Sequence, residues 1–430
     1  MIEELKNIKL SDKNQQTSLQ KAIALGVPSM KMEEWKYTYF NKILQQGFNI
    51  YTNNVDTHSV DTHSVDTHSS AYTIDTHSSA YLQQQIEKEF IDANSVSSNR
   101  IIFVNGIFHN ELSSLVNHPK INFWNACNIT ESNSKDFLIE LNNAFASDGV
   151  FMEIGDHVLV DELIEFFYIN TSSTHIINLK NKIKVGKNSQ VKFAEYFINY
   201  DAKPAYNNIV SDIEVAEYAN VEWYKIQDGG NDYNITDNTS VKQEKNSICN
   251  VATITFTGAI TRNVLTFNVN GERAESHMNG LYLLLNNEHV DNRTLVNHNV
   301  ANCESFELYK GILGGKSTGV FNGKIVVKQA AQKTNAFQSN RTILLSNDAN
   351  IYTKPQLEIF ADDVKCSHGA TTSQIEDSEL FYLQARGIGK EVARGLLVFA
   401  FGAEVLEKIK HEKLRAKLQQ RMAEILKIEL

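Results

Sequence analysis

The chain has 430 residues, 42% hydrophobic and 21% charged, a balance that supports a sizeable core in two or three domains and excludes global disorder. Its formal net charge of −10 argues against the basic face by which nucleic-acid binders displace counterions from phosphates. The four cysteines, Cys127, Cys249, Cys303 and Cys366, lie far apart without a Cys-x-x-Cys pair, which excludes a disulfide framework and a zinc knuckle.

The N-terminus reads Met-Ile-Glu-Glu, acidic where a secretory signal needs base, and the longest apolar run, Gly395 to Val405, falls short of the ~20 residues that cross a bilayer. A cytoplasmic protein with reduced thiols is expected, with neither membrane nor nucleic acid as partner. Leu5, Ile8, Leu19, Ala22, Ile23 and Leu25 recur between polar positions until a break at Gly26-Val27-Pro28, which predicts helices. We assign residues 1–98 to an N-terminal helical domain with a loop insertion at about 55–80. In that insertion Asp-Thr-His-Ser begins at Asp56, Asp61, Asp66 and Asp75. Its imidazoles, His58, His63, His68 and His77, are metal-ligand types, but a polar repeat buries too little surface to fix a geometry and reads better as a loop.

Residues 99–375 change to short β-branched and aromatic runs punctuated by Gly, Asn, Asp and Ser. Val185 to Val191, Val215 to Val221 and Leu345 to Ile351 share a register in which a small residue (Ser189, Ala219, Ala349) stands two before an aliphatic one. Stacked coils explain this, each adding an aliphatic side chain to an inner ladder and a small residue at a tight bend. A parallel β-helix is therefore predicted, with a β-sandwich as the alternative. Gly315-Lys316-Ser317-Thr318 imitates a phosphate-binding loop, but the required upstream glycine is replaced by Lys310 and no helix is expected to follow. His289, Asp291 and His298 form a polar cluster in which 289 and 291 share a strand face, open to a metal half-site or to structural use.

Cys366 and His368 project from one face of a predicted strand while Ser367 faces away, and Gly369 and Ala370 remove bulk beside them. Thiolate and imidazole suit iron or an iron–sulfur cluster, although two ligands leave a four-ligand site half complete, so the others would come from another chain. A small buried hydrophobe beside a hydrogen-bonded histidine satisfies the same residues. Asp362 and Asp363, adjacent on a strand, point to opposite faces and do not make a paired-carboxylate site.

Residues 376–430 read as a C-terminal helical domain: a short helix capped by Asp377 or Ser378 and ending before Gly387, then an apolar stripe from Val392 to Leu426. Gly387 and Gly389 fit a joint between helices better than a dinucleotide loop. The basic residues Lys408, Lys410, Lys413, Arg415, Lys417 and Arg421 alternate with acids and read as a solvated face.

The run from Lys354 to Thr372, with Cys366-Ser-His368-Gly-Ala-Thr, resembles the SufB/SufD family. So do His277-Met-Asn-Gly-Leu-Tyr, His289-Val-Asp, Ser305-Phe-Glu-Leu-Tyr-Lys-Gly, Gly319-Val-Phe-Asn-Gly-Lys, Gln338-Ser-Asn-Arg341, Leu380-Phe-Tyr-Leu-Gln-Ala-Arg-Gly and the entry motif Glu34-Trp35-Lys36-Tyr37-Thr38. Within the family, the Cys-Ser-His-Gly-Ala-Thr form and the length are closer to the SufD branch than to SufB, while the histidine-rich tract departs from the pattern. The resemblance implies a right-handed parallel β-helix flanked by helical domains. It implies a non-catalytic scaffold paired with SufB, with the SufC ATPase docked on the C-terminal helical domain. It further implies that His368, with Cys366 beside it, holds iron or a nascent cluster transiently at the SufB interface and serves iron acquisition, with sulfur supplied by a cysteine desulfurase. No cofactor stays on the isolated chain; a homodimer of that chain and a reduced flavin in the complex are allowed, with no residue marking a flavin site. The rival readings are a SufB-type cluster-carrying paralogue and a β-helix carbohydrate-active enzyme.

Overall fold

One backbone device repeats through the middle of the molecule. Asn188, Tyr218, Asn246, Arg273, Asn302 and Lys333 all adopt left-handed φ between 54° and 62°. Each is followed by a small or short buried residue: Ser189, Ala219, Ser247, Ala274, Cys303 and Thr334. The amide of Asn188 donates to Glu217 O, that of Tyr218 to Lys245 O and that of Asn246 to Glu272 O, so each corner is tied to the corner of the next coil. A bend recurring once per coil, with no room for a large side chain inside it, builds a solenoid.

The computed structural model describes residues 1–50, 86, 91–115, 118–125, 134–146, 148–171, 175–200 and 203–429. The Asp-Thr-His-Ser tract with its four histidines, and Cys127, lie outside the described residues. The strands are β1 (Asn49–Ile50), β2 (Asn99–Val104), β3 (Ile107–Phe108), β4 (Ile121–Asn125), β5 (Val150–Ile154), β6 (Ile164–Asn170), β7 (His175–Val185), β8 (Gln190–Asn199), β9 (Ala205–Val215), β10 (Asn220–Asp228) and β11 (Tyr233–Gln243). They continue as β12 (Ile248–Thr257), β13 (Ile260–Val269), β14 (Glu275–Leu284), β15 (His289–His298), β16 (Glu304–Leu313), β17 (Thr318–Val327), β18 (Asn335–Leu344), β19 (Asn350–Thr353), β20 (Gln356–Ile359) and β21 (Lys365–Ser373).

Odd-numbered strands from β5 to β19 stack in one sheet, and even-numbered strands from β6 to β18, followed by β21, stack in the other. Pairing is parallel throughout the stack, and antiparallel β4–β5 and β2–β3 pairs finish its first end. The protein is thus a parallel β-helix of about 8 turns with helices at its ends, as the sequence predicts. One coil advances the chain by 29 residues at Asn263–Asn292. Two of the register pieces, at Ser189 and Ala219, are successive copies of one corner, whereas Leu345 to Ile351 belongs to the opposite corner, leading into β19.

Between the sheets lies an apolar core in which Phe193 and Trp223 approach to 4.6 Å between ring centroids. The same interior holds Lys225, whose ammonium lies 3.1 Å from Glu195 and 2.5 Å from Asp237. Removing one partner from such a buried group leaves an uncompensated charge.

The N-terminal helices are α1 (Ile2–Lys6), α2 (Lys13–Leu25) and α3 (Asn41–Leu44). Asp12 caps α2 by accepting from the Gln15 amide, and Gly26 at φ +73° ends it. A further helix, α4 (Phe137–Phe145), stands where the sequence reads as strand and turn; a short apolar run cannot be assigned by periodicity alone. Asp136 caps it, and Asn142 donates to Leu179 O and Asn208 O, fastening it to the first sheet. Leu5, Leu19, Trp35 and Phe40 pack with Leu141, Phe145 and Tyr206, so these helices share one core with that sheet's outer face.

The C-terminal helices are α5 (Asp377–Gln384), α6 (Lys390–Leu406) and α7 (Glu412–Leu426). Glu376, rather than Asp377 or Ser378, occupies the N-cap of α5, and the single apolar stripe is broken into two helices between Leu406 and Glu412. The second sheet receives α6 and α7 through Val398, Leu406, Leu414 and Met422. The basic run is not simply a solvated face. Lys410 bonds Glu222 at 2.5 Å and Arg421 bonds Asp228 at 2.6 Å, so two of its cations fasten the helices to the solenoid, while Lys417 reaches the Ala93 carbonyl in the segment before β2.

Candidate functional site at the last coil

β21 ends the second sheet: it bonds to β18 and, among the described residues, carries no strand on its other edge. Register places Cys249, Ser276, Ser305, Ala336 and Cys366 in one inward row. The first four are fully buried, but Cys366 is half-buried because no further coil covers it. It still packs against the core, and burial pushes its thiol up, partly offset by the Ala336 backbone. Holding a metal there requires the thiol to lose that proton.

His368, two residues on, occupies the next inward row after Met278, Glu307 and Gln338, and is exposed. Alternation therefore brings Cys366 and His368 onto one side of the last strand and sends Ser367 to the other. Behind His368, the buried Gln338 amide donates to Glu307 at 2.7 Å. Burial pushes the Glu307 carboxyl up to about 7, and Glu307 Oε1 and Gln338 Oε1 are buried without hydrogen-bond partners. Sequence reading missed this pair, although both residues lie in quoted motifs; only the strand register, His368 to Gln338 to Glu307 at one coil per step, brings them behind the histidine. A Cβ at Gly369 would meet nothing within 4 Å, so packing within this chain does not account for the missing side chain.

On the outer side, Ser367 continues a row of near-parallel rings, with His277 to Phe306 at 5.3 Å and Phe306 to Phe337 at 5.8 Å. A cleft of about 760 Å³ runs over this row, bordered by Arg341, Lys408, Lys410 and His368. Beyond it, α5 buries none of its residues, and Phe381 and Tyr382 are 71% and 56% exposed.

The other sequence candidates separate. His289 and Asp291 meet, both contacting the Thr38 hydroxyl, whereas His298 faces the interior and bonds Ser305 at 2.9 Å. Asp291 is occupied by Arg262, Arg293 and Thr38. Gly315 to Thr318 forms a corner leading into β17 with no helix after it. Asp362 and Asp363 are exposed, their amides bonded to the Gln332 side chain. Gly387, at φ +86°, lies at the joint between α5 and α6. Among the described residues, no three His, Cys, Asp or Glu side chains converge as a metal site, and no helix is long and apolar enough to cross a membrane.

Comparison with known proteins agrees with this geometry. Residues 167–401 match the family model described as SUF system FeS cluster assembly, SufBD core domain, and residues 3–166 match the SufBD protein N-terminal region. An iron–sulfur cluster assembly SufBD family protein of Synechocystis is 32% identical over 347 residues, 75% of this chain and 76% of that protein. The iron–sulfur cluster assembly protein SufD of Escherichia coli is 41% identical over 167 residues, a match covering 39% of this chain and 40% of that protein. SufD of Bacillus subtilis is 24% identical over 285 residues, 65% of each chain. With both family models together spanning residues 3–401 of a two-sheet solenoid, the chain belongs to the SufBD family of the SUF iron–sulfur cluster assembly system.

Proposed function

We propose that the chain is a SufD-type, non-catalytic scaffold subunit that pairs with SufB along β21 and places His368 and Cys366 in a shared site where a nascent iron–sulfur cluster is built. The observation that carries this reading is the last strand itself: one edge is unpaired, and a half-buried thiol and an exposed imidazole lie on it two residues apart. An open edge invites a strand from another chain, and two donors leave a four-ligand cluster to be completed by that chain. The cluster is cargo; its sulfur would come from a cysteine desulfurase, and this chain would help acquire the iron. Exposed Phe381 and Tyr382 on α5 support docking of the SufC ATPase on the C-terminal helices. Reduced cysteines suit a cytoplasmic site of action. No residue here is assigned to a reduced flavin, and the same edge offers the isolated chain a homodimer contact.

The test is co-expression with a candidate SufB and SufC, pull-down on this chain, and anaerobic reconstitution of the complex with wild-type protein and with His368→Ala. The variant is expected to retain both partners and to lose most of the iron and acid-labile sulfide. Undiminished iron and sulfide would remove His368 from the site; failure to capture SufB would remove the pairing.

A further inference from the structure

The sequence motifs Glu34-Trp35-Lys36-Tyr37-Thr38 and His289-Val-Asp291 meet at a place the scaffold role does not use. Arg262 lies with its guanidinium carbon 3.9 Å from the Trp35 ring centroid and bonds Asp291, to which Arg293 also donates at 3.0 Å. Burial opposes the charge on Asp291, but the two guanidiniums, Arg262 foremost, outweigh it and hold the carboxyl below its ordinary value. An ionised carboxylate only accepts, so the Thr38 hydroxyl, 2.7 Å away, spends its single proton on Asp291. Thr38 Oγ1 also lies 3.0 Å from His289 Nε2, and having no second proton it accepts there. His289 therefore carries its proton on Nε2. Burial also pushes this imidazole down to about 4, so it is neutral near pH 7 and its Nδ1 keeps a free lone pair.

His289 is one wall of a half-open pocket of about 630 Å³, within the range of small-molecule sites. Tyr37 and Tyr352, stacked at 4.3 Å, and Tyr39 give it aromatic walls. Its charge is one-sided. The only carboxylate in the lining, Glu288, is buried and taken up by the Asn286 amide at 2.7 Å and side chain at 2.9 Å. Lys42 also lines the pocket and forms no ion pair among the described residues.

From this arrangement we propose that the pocket binds a small aromatic anion of about mononucleotide size, its ring among the tyrosines, a ring N–H on His289 Nδ1 and its anionic group on Lys42. The site lies on the outer face of the first sheet, is built within this chain, and needs no partner subunit.

Calorimetric titration of the full chain with guanosine monophosphate, guanosine and ribose 5-phosphate tests it. Guanosine monophosphate should bind saturably and ribose 5-phosphate should not. Lys42→Ala, which leaves the Thr38–Asp291 contacts intact, should weaken the nucleotide about tenfold, as expected for one charge-assisted bond, without changing guanosine binding. His289→Phe should abolish binding of both while circular dichroism stays native. No saturable binding of millimolar guanosine monophosphate, or equal affinity in wild type and Lys42→Ala, would overturn the proposal. Because the isolated chain is used, neither outcome depends on assembly with SufB.

Discussion

Cys249 and Cys366 occupy the same inward row of the same sheet, with Ser276, Ser305 and Ala336 between them. Cys249 is sealed, its thiol driven up by burial, whereas Cys366 is half-buried. The same contrast holds for whole strands: in β16, Ser305, Glu307 and Tyr309 are buried, while their counterparts in β21, Cys366, His368 and Ala370, are half-buried or exposed. Where the stacking stops, rather than the residue type, separates a packing cysteine from an available one.

The sharpest way to stress that contrast is to damage the closed middle. Lys225→Ala strands Glu195 and Asp237 inside the solenoid and is expected to cost about 3–5 kcal/mol in urea unfolding, whereas Cys366→Ala at the open end should cost less than about 1 kcal/mol. Equal losses would erase the distinction.

Glu307 lies one coil inside His368's neighbour Gln338 and gives the next largest effect. Its carboxyl is raised from 4.5 to about 7, so the folded state holds a proton the unfolded state has released. That stabilisation is full below about pH 4.5 and lost as the pH rises to about 7, amounting to roughly 3 kcal/mol. Glu307→Gln should remove this dependence, seen as a flatter stability–pH curve than wild type over that window. His289 and His298, each lowered to about 4 by burial, act with opposite sign, adding stability as the pH rises from 4 toward 6.5.

The smallest effects concern the edge itself. Thr371→Lys on β21 should leave unfolding within about 0.5 kcal/mol of wild type yet reduce SufB capture, separating an interface from a core position. Brief treatment of the native chain with iodoacetamide should label Cys366 while Cys249 and Cys303 react only after denaturation, as read by peptide mass spectrometry. Labelling of Cys249 in the native protein would contradict the closed interior.

The solenoid was legible because its corners repeat a small residue before an inward-facing one, as at Ser189 and Ala219. The side shared by Cys366 and His368 was legible from two-residue alternation. The α4 helix was not, because Phe137 to Phe145 is too short and too apolar for its period to show. Nor was the meeting of Thr38 with Asp291, which lie 253 residues apart; no local pattern carries such a contact, and only the folded stack brings the N-terminal segment onto the outer face of β15. The path of Lys410 and Arg421 back to the solenoid failed to show for the same reason, since alternating charge looks alike in water and against a sheet.

Among the described residues both sheets stop at bare strands, β21 in one and β19 with β20 in the other. Such a terminus offers its unpaired backbone groups to any extended polypeptide, a second copy of this chain included, so each end of the stack is a place where molecules can join without any side chain having to match.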